Sequence, residues 1–148
     1  MPVVLSDGRI MLNIRCYGGW RGPSVSEDGI NDFSTVKFDK ELIDPFCNAG
    51  FAVYNHGDHP YTLIFTNCEN NESFDITARK NLVLKASIDD GETWSMRLPL
   101  DPGDAGYSTI AVDQNGMIYI LYEVVAGKHV RLVRMTYDYM IQNGSPLK

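Results

Sequence analysis

Nothing in this sequence approaches the roughly 20 consecutive apolar residues that carry a helix across a bilayer, so a helical membrane span is excluded. Basic charge is scarce too. Thirteen Lys and Arg stand against nineteen Asp and Glu, a net charge of −6, and no local Lys/Arg cluster reverses the sign. A surface of that balance repels phosphate backbones, which argues against nucleic acid as a partner. Cysteines are few and odd in number: Cys16, Cys47 and Cys68 cannot complete a disulfide framework and have no CxxC or Cys/His spacing for zinc, so they read as thiols, most of them buried. Met1 leads directly into Pro2-Val3-Val4-Leu5 without a basic leader and an apolar run, so the expectation from the chain as written is a soluble protein with no export signal.

Long helical periodicity is the last absence. The one helix-like stretch, 36–46, contains a proline near its end and lacks a sustained 3.6-residue period. What fills the sequence instead is short apolar or alternating runs, at 9–16, 51–55, 61–67, 82–88, 108–112, 117–124 and 130–137. They are rich in Val, Ile, Tyr, Phe and Thr and are separated by Asp7-Gly8, Asp90-Gly91, Pro102-Gly103 and Asn115-Gly116, residue pairs that favour tight turns. An all-β fold follows. With 148 residues, 44% of them hydrophobic, one core and one domain over 1–148 are the default. Strand spacing alone leaves sandwich, barrel and propeller open.

A repeat narrows the choice. Ser87-Ile88-Asp89-Asp90-Gly91-Glu92-Thr93-Trp94 has the form Ser-x-Asp-x-Gly-x-Thr-Trp, in which Ser and Asp side chains satisfy turn amides, the glycine takes the unusual backbone angle and the Trp covers the turn. Ser26-Glu27-Asp28-Gly29-Ile30-Asn31-Asp32-Phe33 is a degenerate copy. Two copies suggest a repeat architecture. The first resembles the Asp-box of sialidases and other propellers, where such hairpins lie on the outer rim, so neither copy is assigned to catalysis.

Three further segments resemble the sialidase (neuraminidase) family in that family's order. Asp7–Arg15 looks like the strand ending in the second arginine of a triad, and Arg79 looks like the third. Ala105-Gly106-Tyr107-Ser108-Thr109-Ile110, followed by Ile118-Tyr119-Ile120-Leu121-Tyr122-Glu123, looks like the nucleophile strand and its partner. The resemblance covers essentially the whole chain. It implies a six-bladed β-propeller, of which this chain would hold about three blades of its C-terminal half, and an exo-α-sialidase that releases terminal sialic acid from glycoconjugates. The same resemblance suggests a secreted or cell-surface setting and brings no cofactor or metal.

The residue types suit that chemistry. Sialic acid carries a carboxylate on the carbon where the glycosidic bond breaks, and guanidinium forks at Arg15 and Arg79 would bind it bidentately. That carboxylate would repel an anionic nucleophile, whereas Tyr107 can attack once its phenol is deprotonated. Glu123 occupies the place of the glutamate that, in the family, braces the first triad arginine. Arg21, Arg131 and Arg134 read as solvated, Tyr17, Tyr119 and Tyr122 as strand-face residues, and His56-Gly57-Asp58-His59 as a solvated polar turn with no metal assigned.

The family's first triad arginine, its acid/base aspartate and the glutamate that activates the tyrosine have no counterpart in this sequence. The chain therefore reads as a truncation, a piece of a longer protein or one part of a split protein, expected to pair with a missing N-terminal half or to self-associate through its open edge. The alternatives are a non-catalytic propeller fragment that binds sialic acid or another partner through a blade face, and hydrolysis of a different sugar acid or deoxy sugar on the same scaffold.

Overall fold

A computed structural model describes residues 1–124 and 127–146. Three antiparallel sheets follow one another along the chain. The first is β1 (Pro2–Val4), β2 (Ile10–Arg15), β3 (Trp20–Ser26) and β4 (Asp39–Ile43); the second is β5 (Gly50–Tyr54), β6 (Thr62–Cys68), β7 (Lys80–Ser87) and β8 (Met96–Asp104); the third is β9 (Ser108–Val112), β10 (Ile118–Val124) and β11 (His129–Met135). Each sheet is an up-and-down meander, as turn-separated runs with alternating burial require. The first strands of successive sheets lie against one another, β1 on β5 and β5 on β9. At the β5–β9 contact the Gly50 N–H donates to Ser108 Oγ at 3.1 Å, so the two strands begin at the same end. This is a partial propeller: three blades side by side, with their first strands innermost.

The core lies between blades. Met11, Leu42, Phe51, Leu63, Phe65 and Trp94 fill the space between the first and second, and Tyr54, Ile64, Leu84, Ile110, Ile118 and Ile120 that between the second and third. Having a blade on each side, β6 is buried at every residue. In contrast β10, the corresponding strand of the third blade, is fully buried only at alternate residues, because one of its faces has no further blade against it among the described residues.

The Asp-box forms as its sequence demands. Ser87 Oγ donates to Asp89 Oδ1 at 2.7 Å, Asp89 also accepts from the Thr93 amide and hydroxyl, and Gly91 takes φ +84°. Trp94, 2% exposed, packs in the core, and its Nε1–H donates to Asp39 Oδ2 at 2.9 Å. In the degenerate copy Asp28 Oδ1 accepts from the Ile30 and Asn31 amides, and Phe33 is half-buried.

The helix-like stretch 36–46, which lacks a helical period, holds strand β4, tied to the second blade by the Trp94 bonds to Asp39 and Glu41. The helix that does form is α1 (Tyr137–Asn143), at the point where a fourth strand would complete the third blade. Thr136 caps it, its Oγ1 accepting the Tyr139 N–H at 3.2 Å, while Tyr137 and Met140 bury against the second-blade core. The chain then adds β12 (Ser145–Pro146) to the free edge of β8, so the sheets have four, five and three strands rather than four each.

Candidate functional site

In an antiparallel meander the beginnings of the first and third strands and the ends of the second and fourth share one end of the sheet. Arg15 ends β2, Arg79 immediately precedes β7, Tyr107 immediately precedes β9, and Glu123 is the penultimate residue of β10. All four therefore stand at the same end of their blades. The Asp-box turn, which leaves the far end of β7, is at the opposite end, so Trp94 lies away from this group.

Tyr107 and Glu123 are held by their own strand pair. The Glu123 N–H donates to Tyr107 O at 2.9 Å, the Gly106 N–H donates to Glu123 O at 2.8 Å, and Glu123 Oε2 accepts the Tyr107 N–H at 3.2 Å. A Cβ at residue 106 would lie 2.9 Å from Glu123 Oε2, so glycine is required for that carboxylate to fold back over the chain. Glu123 thus orients the backbone that presents Tyr107, whose ring remains 38% exposed.

Arg79 follows a short 3-10 turn, Ile76–Ala78, that is anchored from both sides. Asn70 Nδ2 donates to Ala78 O at 2.9 Å, and Arg79 O accepts the Ala105 N–H at 3.0 Å. The second bond couples Arg79 to the segment carrying Tyr107. The guanidinium carbon of Arg79 lies 4.9 Å from the Tyr107 ring centroid, and its Nε–H is buried without a hydrogen-bond partner. Ile76, Arg79, Tyr107, Glu123 and Gly127 line a hollow of about 160 Å³ there. A neighbouring hollow of about 230 Å³ runs over Tyr107, Asn48, Leu121 and Val130.

Arg15 is exposed and stands on the first blade, its guanidinium carbon 4.1 Å from the Phe46 ring centroid. Tyr17 stacks on the same ring at 4.0 Å. Among the described residues Arg15 makes no ion pair and no direct contact with Arg79, Tyr107 or Glu123. The structure therefore joins three of the four expected residues and leaves Arg15 apart from them on the first blade, at the same end of its sheet.

Arg21 is the clearest correction. Expected in solvent, it is 2% exposed; its Nε–H donates to Asn13 Oδ1 at 2.7 Å and its Nη1 reaches Asp44 Oδ2 at 3.3 Å and Cys47 O at 2.8 Å. Burial pushes its pKa down, and Asp44 partly offsets this. Arg131 and Arg134 are exposed, Arg131 pairing with Asp101 at 2.5 Å. Tyr17 is 71% exposed, whereas Tyr122 is buried with its hydroxyl on Asp101. His59 stacks on Tyr137 at 4.3 Å. Among the described residues no three His, Cys, Asp or Glu side chains come together as metal ligands would. Cys47 and Cys68 are buried thiols and Cys16 is half-buried.

With this arrangement described, the chain was compared with known proteins. Residues 1–120 match the BNR repeat-like domain family. A curated sialidase from Micromonospora viridifaciens is 34% identical over 133 residues, covering 84% of this chain and 20% of that protein. Among solved structures, the Hadza microbial sialidase Hz136 aligns with a TM-score of 0.72 at 26% identity, over 90% of this chain and 26% of that one. The intramolecular trans-sialidase from Ruminococcus gnavus aligns with a TM-score of 0.77 at 17% identity, over 95% of this chain and 32% of that one, a likeness of fold. The chain thus spans about a fifth of the curated relative and between a quarter and a third of these two structures.

Proposed function

Because this chain belongs to the sialidase family, we propose that it is the C-terminal part of an exo-α-sialidase catalytic propeller, with Tyr107 as nucleophile and Arg15 and Arg79 as ligands of the sialic acid carboxylate. The observation that carries this reading is the Arg79–Tyr107–Glu123 group: a guanidinium carbon over a tyrosine ring, a buried Nε–H without a partner, and a carboxylate fixing the tyrosine backbone. In the proposed reaction Tyr107 Oη forms a bond to the anomeric carbon as the bond to the leaving oxygen breaks. The phenolic proton passes to a glutamate and the leaving oxygen takes a proton from an aspartic acid. Water, giving its proton to that aspartate, then displaces the tyrosine, which recovers its proton from the glutamate, and the two displacements together give net retention. Both acid–base groups, and a further arginine, would come from polypeptide outside this chain. Arg79 would hold the carboxylate beside the attacked carbon, and Glu123 would keep Tyr107 at the correct depth.

A second reading, sialic acid binding without turnover, is favoured by one observation. The Tyr107 hydroxyl has no hydrogen-bond partner among the described residues, since Glu123 is turned to the backbone. Covalent trapping separates the two. The chain joined to its N-terminal half, treated with 2,3-difluorosialic acid, is expected to gain the mass of one sugar on the peptide containing Tyr107, and to gain none in Tyr107→Phe. A label on another residue would overturn the nucleophile assignment, and unlabelled protein that still binds the sugar would favour the second reading.

A further inference from the structure

The turn at 44–47 is held far more firmly than a connection between two blades requires. The Asp44 N–H donates to Gly19 O at 3.0 Å, and Asp44 Oδ1 accepts the Cys47 N–H at 2.9 Å. Arg21, fully buried, donates to Cys47 O at 2.8 Å and pairs with Asp44, while Asn67 Nδ2 donates to Asp44 Oδ2 at 3.2 Å and to Ile43 O at 2.6 Å. Between these pinned ends sits Phe46 at φ +59°. A bulky aromatic residue rarely enters that region, and it stays there only when its surroundings force it to.

Core packing does not account for the strain. Phe46 is only half-buried, and the ring against it, Tyr17, is 71% exposed. What the conformation achieves is a stack. Tyr17 lies parallel to Phe46 within 18° at 4.0 Å, and the Arg15 guanidinium carbon lies 4.1 Å from the same centroid. Two groups that close cannot share one face of a phenyl ring, so they flank it. The order is Tyr17, Phe46, Arg15.

We infer that Phe46 is a positioning residue for Arg15, set in a strained turn so that its ring holds the guanidinium at the edge of the sialic acid site. The interaction suits the task because a phenyl ring carries no carboxylate to take up the guanidinium fork. A cation held over a ring keeps its N–H donors for a bidentate carboxylate, whereas an acidic partner would occupy them. A mobile surface arginine would lose rotamer freedom on binding; one already stacked loses less. The buried Arg21–Asp44 pair acts one layer further back, as the anchor of the turn. This inference rests on the reading of Arg15 as a carboxylate ligand.

The test is NMR of the arginine Nε–Hε groups in the labelled chain, with the Arg15 signal identified from its disappearance in Arg15→Gln. In the wild type that signal is expected to be displaced by the Phe46 ring current. The displacement should vanish in Phe46→Leu, which keeps apolar bulk at the same backbone angle, and persist in Phe46→Tyr. Titration with N-acetylneuraminic acid follows in the same samples: Phe46→Leu should bind roughly threefold to thirtyfold more weakly and Phe46→Tyr near the wild-type value. A dispersed backbone spectrum in each variant shows that the fold is intact. An Arg15 signal and a sugar affinity both unchanged in Phe46→Leu would overturn the inference. If instead the ring-current displacement behaves as expected while Arg15→Gln binds the sugar as tightly as the wild type, the carboxylate role of Arg15 is what fails.

Discussion

Arg21 carries a full charge into the gap between two blades, and at the scale of single residues that burial is costly. Removing a guanidinium from water costs several kcal/mol, which only close partners offset. Here Asp44, Asn13 and the Cys47 carbonyl supply them. Arg21→Ala would leave the Asp44 carboxylate, itself fully buried, without its cation. We expect that variant to lose roughly 3–5 kcal/mol of folding stability in urea denaturation; a loss below about 1 kcal/mol, the level of a surface pair, would contradict this account. Nothing in Trp20-Arg21-Gly22 distinguishes this arginine from a rim residue, because its burial depends on Asp44 and the Cys47 carbonyl, which reach it only through the fold. The side-by-side placement of Tyr107 and Glu123 has the opposite origin. The register that pairs Tyr122 with Ser108 sets them side by side within one local hairpin.

Among the elements, the Asp-box shows what a strongly local pattern can specify. Burial alone would raise the Asp89 pKa, but hydrogen bonds from the Thr93 hydroxyl and amide and from Ser87 outweigh it and hold the carboxyl below its usual range. A depressed folded-state value stabilises the protein above the unfolded pKa of roughly 4 and stops doing so as the pH falls through the lower folded value. We therefore predict that the wild type melts higher than Asp89→Asn at neutral pH, and that the gap narrows steadily once the pH drops below about 4. A gap independent of pH would show that the charge on Asp89 does not matter. The helix was the least legible element. Residues 130–137 read as one strand, yet Thr136 stops it by capping the helix, whose buried seat for Met140 exists only once the second blade is present. Within 36–46, which has no helical period, Asp39 and Glu41 lie on a strand and Trp94, far along the chain, bonds to both.

For the whole molecule, the open side of the third blade is the telling feature. Leu121 pairs with Leu132 and Thr109 across its strands, and Val130 lies opposite Glu123. Leu121, Val130 and Leu132 are 42%, 64% and 61% exposed, on a face that the middle blade keeps covered. A sheet built to face water would carry polar residues there. The face fits a further blade, and with it the missing members of the proposed site. The central claim, a sialidase site only part of which lies in this chain, is tested most directly by measuring sialic acid released from a fluorogenic sialoside by the chain alone and by the chain joined to its N-terminal half. We predict almost none from the chain alone, turnover after joining, and loss of that turnover by several powers of ten in Tyr107→Phe. Full-strength release by the isolated chain as a monomer, or undiminished release by the joined Tyr107→Phe protein, would contradict it.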